Sequence, residues 1–343
     1  MRAGARGTGA RRRAPRLVVG VWTGLAAVGL AACGGSGGPG TAPTSSTTGT
    51  WSSVVHPEPP GLAPGNSSIY GVSCPTATFC AAVDESGDAT FWNGSTWSKP
   101  APASPNGTLN SVSCTSSTFC VALSSQLAVT WNGHAWSAPV AVGPAPSGPT
   151  GGQYEVSCVS PTFCASVNTA GVASLFDGTS WGHDAVVDDG TADHPVQSIS
   201  CGSTAFCAVV SATGNIATFD GTTWTRRPSP GQSLLHALSC PTPHFCMAVD
   251  LTGHALVSDG STWATAGTVP GAGALTYAVS CPTATTCKVA RSDGSVATWQ
   301  SGTWGPAVPV LGGGTLATAA ISCASTTFCA LVSSSGAVAT YRG

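Results

Sequence analysis

The chain has 343 residues, 42% of them hydrophobic and only 8% charged, with a formal net charge of −2. That apolar content is ample for a sizeable core. No basic surplus exists, which argues against a nucleic-acid binder, since such proteins need a positive stripe facing the phosphates.

Residues 1–33 read as an export signal. Arg2, Arg6, Arg11, Arg12, Arg13 and Arg16 form a basic start, and residues 17–32 are mostly apolar but short for a membrane span. The run Leu30-Ala31-Ala32-Cys33-Gly34 resembles the lipobox of bacterial lipoproteins. The resemblance implies cleavage before Cys33, diacylation of its thiol and a protein held outside the cytoplasm on the cell membrane. An ordinary signal peptide with an incidental cysteine is the alternative. Cysteine arithmetic points the same way as the lipobox, because 15 cysteines are seven pairs and Cys33. Arg12-Arg13 leaves the twin-arginine export route open beside the general one. Removing the signal removes six of the 12 basic residues and none of the 14 carboxylates, so the mature chain is near −8. That charge opposes electrostatic adhesion to anionic headgroups.

Residues 34–48 contain only Gly, Ser, Thr, Pro and Ala. They read as a flexible tether with an r.m.s. span of about 20 Å.

Residues 49–343 repeat one pattern seven times. The pairs are Cys74/Cys80, Cys114/Cys120, Cys158/Cys164, Cys201/Cys207, Cys240/Cys246, Cys281/Cys287 and Cys323/Cys329, and successive first cysteines lie 40, 44, 43, 39, 41 and 42 residues apart. A period near 40 belongs to propeller blades or repeat arrays. Between the pairs, apolar residues alternate with a period of two, broken by Gly turns, and no long run has helical spacing. Each repeat divides into four short strands. Strand A ends at Val-Ser-Cys, as in Val72-Ser73-Cys74, and strand B begins at Phe-Cys, as in Phe79-Cys80. Strand C ends in an aromatic residue before Asn-Gly or Asp-Gly, as in Trp92-Asn93-Gly94, and strand D carries a tryptophan, as in Trp97. Asn-Gly and Asp-Gly favour positive φ at both turn positions, which predicts tight hairpins there.

The seventh repeat has no strand D after Tyr341, whereas Gly49-Thr50-Trp51-Ser52 matches Gly302-Thr303-Trp304-Gly305. The expected fold is therefore all-β: a seven-bladed propeller of four-stranded antiparallel blades, closed by the segment around Trp51 completing the last blade. Closure removes open edges.

The cysteine spacing predicts one disulfide within each blade. Zinc knuckles use shorter spacings and four convergent ligands, whereas residues i and i+6 across a hairpin face each other within disulfide reach. An exported chain also meets oxidising conditions. Unpaired or cross-blade cysteines are the alternative.

Phrases such as Asp259-Gly260-Ser261-Thr262-Trp263 resemble the Asp-box of neuraminidase repeats and the tryptophan-docking motif of quinoprotein propellers. Over residues 49–343 the chain resembles exported, cysteine-paired members of the neuraminidase-repeat and WD-repeat-like propeller group. That resemblance implies a fold rather than an activity.

With strand A innermost, the residue four before each first cysteine stands at the channel mouth. These are Tyr70, Asn110, Tyr154, Gln197, His236, Tyr277 and Ala319. The six polar or aromatic ones suit a neutral polar ligand such as a sugar, through stacking and amide hydrogen bonds. Alternatively they only plug the channel. Asp188, Asp189 and Asp193 lie in an acidic connector that would offer oxygens to Ca²⁺, with a solvated face as the alternative. No cofactor is expected.

A sialidase-type site would need three arginines and a Tyr–Glu pair. Only Arg226, Arg227, Arg291 and Arg342 follow the signal, and Tyr154-Glu155 are expected on opposite sides of a strand. A glycosidase would draw on Asp84, Glu85, Asp88, Asp250 or Asp293 in the B–C loops. The sequence thus favours a monomeric, membrane-anchored binding or scaffolding propeller that presents one face to a glycan or an envelope protein. The alternative is a glycoside hydrolase or lyase acting on envelope carbohydrate.

Overall fold

Small and β-branched residues on a two-residue period form strands whose two faces are both buried, and in this chain those faces pack blade against blade. The computed structural model describes residues 49–57, 68–143, 154–188, 195–228, 234–312 and 319–343. The signal, Cys33, the tether, Asp189 and Asp193 lie outside the described residues. Among the described residues no helix is long and apolar enough to cross a membrane.

Seven antiparallel sheets stand in a ring. The first contains strand A (Ile69–Thr76), B (Phe79–Asp84), C (Asp88–Trp92) and the outer D (Ala101–Pro102). The seventh takes A, B and C from Ala319–Ser325, Phe328–Ser333 and Val338–Arg342, and D from Thr50–Trp51. Trp51 stands opposite Tyr341 and Thr50 opposite Arg342, so the early segment does complete the last blade. Two cations lie at this seam. Lys288 Nζ sits 3.9 Å from the centre of the Tyr341 ring, and the Arg342 guanidinium donates to the Gly94 carbonyl of the first blade.

Every cysteine pair is a disulfide between strands A and B of one blade, with Cα atoms 3.9–4.1 Å apart. The bridges are Cys74–Cys80, Cys114–Cys120, Cys158–Cys164, Cys201–Cys207, Cys240–Cys246, Cys281–Cys287 and Cys323–Cys329. The two ends of each bridge differ in a way the hairpin spacing did not reveal. The strand-B partners Cys80, Cys120, Cys164, Cys207, Cys246, Cys287 and Cys329 have no solvent exposure at all. These seven are therefore interior staples and not accessible site groups: strand B lies between A and C in its sheet, and neighbouring blades cover its faces. Six of them face an aromatic residue on strand C. Cys80, Cys120 and Cys287 stand opposite Trp92, Trp131 and Trp299. Cys164 and Cys207 stand opposite Phe176 and Phe219, and Cys329 opposite Tyr341. Cys246 departs from the pattern and faces Ser258.

The core is divided: seven apolar clusters, each shared by two neighbouring blades, fill the interfaces.

The serine of Val-Ser-Cys has a role the sequence reading did not assign. Strand A is the inner edge of its sheet, so some of its N–H groups have no strand to bond. In all seven blades the N–H of the first cysteine donates, at 2.9 Å, to the serine hydroxyl of the preceding blade. The last of these, Cys74 N–H to Ser322 Oγ, crosses the closure.

Two details differ from expectation. The Asn-Gly and Asp-Gly hairpins are four-residue loops, with Trp92 facing Trp97 and Phe176 facing Trp181, and only their glycines take positive φ. The Asn or Asp side chain instead accepts the next N–H groups, as Asn93 Oδ1 does from Ser95 and Thr96 at 2.9 Å. Among the C–D turns, the tight two-residue one is Ser301-Gly302, where both residues have positive φ (47° and 93°). Strand D is also interrupted in the first, second and sixth blades. There Pro100, Pro139 and Pro306 lack the N–H that continuous pairing requires.

Candidate functional site

The seven strands A surround an open axial cavity of about 560 Å³. Five of the six nominated side chains border it: Tyr70, Asn110, Gln197, His236 and Tyr277, with Ala319 from the seventh blade. The side chain of Tyr154 lies outside the described residues. The group that the third blade places against the cavity is Glu155.

Bulges explain much of this ring. In the first, fourth, fifth and sixth blades the A–B register shifts by one residue, at Tyr70, Gln197, His236 and Tyr277 respectively. A bulge re-aims a side chain locally, so four polar residues at the inner edge escape the blade interface. The third blade has no shift there: Tyr154 faces Asn168, Glu155 faces Val167 and Val156 faces Ser166.

The ring is partly cross-linked. Tyr70 Oη donates to Glu85 Oε2 at 3.2 Å, and the His236 and Tyr277 rings lie 5.9 Å apart. Burial and the Glu85 carboxylate raise the Tyr70 pKa above its usual value. Burial lowers that of His236, which favours a neutral imidazole.

Glu155 stands three residues before its cysteine, where the other blades carry Gly71, Ser111, Ser198, Ala237, Ala278 and Ala320. One carboxylate oxygen accepts the Ile199 N–H of the next blade at 3.3 Å. Ser111 does the same for Val156 N–H at 3.3 Å. Burial pushes the Glu155 carboxyl up to about 7, while its bonds from Ser198 and Ile199 pull the other way. A column comparison across the seven repeats would have found this residue; reading Tyr154-Glu155 as a pair hid it.

The other candidates are accounted for elsewhere. Asp84 and Asp250, named above as B–C loop acids that a glycosidase would draw on, are buried. Asp84 Oδ1 accepts the Ser86 and Asp88 N–H groups at 2.9 and 2.8 Å. Asp250 Oδ1 accepts those of Thr252 and His254 at 2.8 and 2.9 Å. Asn168 performs the same service for Val172 N–H at 2.9 Å, so the position needs an acceptor rather than an acid. Asp293 holds Ser295. Arg291 donates to the carbonyls of Pro270, Gly271 and Ala274. Arg226, with Asp188 3.8 Å away, also donates to the Val187 carbonyl at 2.9 Å. These arginines do not converge as a sialidase site requires. Among the described residues, a Tyr–Glu contact forms between Tyr70 and Glu85. Asp188, nominated for Ca²⁺, is buried beside Arg226 and also accepts from Asn215. Among the described residues, no group of three or more His, Cys, Asp or Glu is placed to hold a metal.

This geometry defines a seven-bladed propeller with WD40-like structural neighbours. The WD40 β-propeller domain of Doa1 superimposes with a TM-score of 0.68 at 14% identity, covering 86% of this chain and 97% of that one. U3-55K gives 0.67 at 10% identity, with 85% and 98% covered. The structure of YCF48 bound to D1 peptide gives 0.63 at 15% identity, with 85% and 95% covered. No protein-family model matches the sequence, and no curated protein matches it.

Proposed function

We propose that this protein is a binding propeller that receives a polar segment of its partner, in the first place a glycan chain, in the axial cavity. One observation carries the reading: an open cavity of about 560 Å³ bordered by phenol, amide and imidazole groups on rigid strands. Such a size and such convergent polar groups suit a small-ligand site. The lipobox around Cys33 and the tether of residues 34–48 extend the proposal to an extracytoplasmic protein anchored through a lipidated cysteine. Seven disulfides support an oxidising compartment.

A peptide or protein partner is the second reading, favoured by the structural neighbour solved with a peptide bound. Hydrolase or lyase chemistry draws less support. Glycoside hydrolysis ordinarily uses two carboxylates flanking the bond, and Glu155 is the one carboxylate among the described residues bordering the cavity.

A glycan array with the disulfide-intact protein tests the proposal. Binding without turnover is expected, and Asn110→Ala and Gln197→Ala should weaken it while leaving the melting temperature unchanged. Undiminished binding in both folded variants places the site elsewhere. Product release that stops in Glu155→Gln would establish the hydrolase instead.

A further inference from the structure

Resting on the reading of the axial cavity as the binding site, we infer that its ligand carries a protonated amino group, as an amino sugar does, and that Glu155 anchors that group. Glu155 is an anomaly of composition, the single charged residue in a column of glycine, serine and alanine. The small residues of the other blades leave the axis open, so the glutamate projects into space they do not fill. Among the described residues, its carboxylate has no counter-ion built beside it. The packed strands are Ser111–Ser116 and Phe119–Leu123 of the second blade, Phe163–Asn168 of its own, and Val196–Ser203 of the fourth. None contains Asp, Glu, His, Lys or Arg.

Among the described residues, no lysine or arginine borders the cavity. An anionic ligand would therefore meet one carboxylate and no partner, whereas an ammonium group would supply the charge Glu155 lacks. The aromatic rings of Tyr70, His236 and Tyr277 border the same space, and ring faces stabilise ammonium groups. The negative mature chain adds attraction in the same sense. The raised carboxyl pKa fits a site that ionises fully when a cation arrives.

Calorimetry on the intact protein near neutral pH tests this with three probes: a β-1,4-linked glucosamine tetramer, its N-acetylated counterpart and tetralysine. A charged hydrogen bond should favour the free amine over the acetamide by about 10- to 100-fold. Glu155→Gln keeps an acceptor for Ile199 N–H and should abolish that preference. Glu155→Ser, the residue of the second blade, should do likewise if the amide distorts the strand.

Tetralysine stays charged up to about pH 10, so its affinity should rise with pH as Glu155 ionises near 7. That rise should vanish in Glu155→Gln, leaving only the lower step of His236, whose deprotonation also favours a cation. Equal affinity for amine and acetamide overturns the ammonium site and leaves the carbohydrate reading standing. Glu155-dependent binding of tetralysine alone keeps the ammonium site and overturns the carbohydrate reading. Binding of none of the three overturns both.

Discussion

The serine of each Val-Ser-Cys is expected to hold neighbouring blades together, and Ser157→Ala measures how strongly. Ser157 Oγ accepts the Cys201 N–H at 2.9 Å, between the third and fourth blades. Cys201 is 8% exposed, so the N–H left behind is largely shielded from water. An orphaned buried donor costs about 1–3 kcal/mol. The axial cavity lies on this side of strand A, and water reaching the amide from it would bring the figure toward the lower bound. For a domain of this size the loss corresponds to a fall in melting temperature of about 2–5 °C. Scanning calorimetry reads the fall, and hydrogen exchange reads its cause: the Cys201 amide should exchange faster in the variant while the Cys114 amide, held by Ser73, stays protected. Ser53→Ala, an exposed serine, serves as the control. Ser73→Ala and Ser200→Ala lie in separate interfaces and should add. A Ser157→Ala protein that melts within about a degree of wild type, with Cys201 still protected, would refute the reasoning, because the bond would then be geometry without energy.

Other outcomes follow from the same structure. Trp51→Ala removes the ring packed 5.5 Å from Tyr341, and hydrogen exchange should accelerate across Val338–Arg342 while the third blade stays protected; uniform acceleration would show that closure is not local. The second cysteine of every pair is fully buried, so the bridges should resist reduction by mild thiols until the protein unfolds, and non-reducing peptide mapping should return the seven pairs found here, each contributing about 2 kcal/mol in the chain-entropy model. Backbone bonds from Ser180, Thr223 and Thr262, with further bonds from the turn, hold Asp177, Asp220 and Asp259 well below the usual carboxylate range. Their depressed pKa values add stability above the unfolded carboxyl pKa, about 3.9, that is lost as pH falls through the lower folded values. Asp259→Asn should be tolerated at neutral pH, because Asn93 and Asn132 fill the same place, whereas Asp259→Ala should lower the melting temperature. Burial depresses the Lys288 pKa, so its charge destabilises the fold at neutral pH and that penalty fades as pH rises toward the usual lysine value. Lys288→Met should therefore match or exceed wild-type stability at pH 7, and a marked loss would show that the contact with Tyr341 outweighs desolvation.

The sequence by itself determined the count of blades, the pairing of cysteines and the closure at Trp51. Each is written in local repetition: a C-x5-C hairpin brings its own sulfurs together, and the lack of strand D after Tyr341 is matched by Thr50-Trp51. It also placed polar groups near the axis at Tyr70, Gln197, His236 and Tyr277, because strand A had to be innermost. What it could not place depends on neighbours far along the chain. A bulge that re-aims Tyr277 arises from how strand A meets strand B, while the unbroken register of the third blade leaves Glu155 as the group described there. The serine clasp joins residues about 40 positions apart, so no local pattern reveals that Ser157 serves Cys201. Whether Asp84 is a solvated acid or a buried acceptor likewise depends on what packs over it, which only the assembled ring decides.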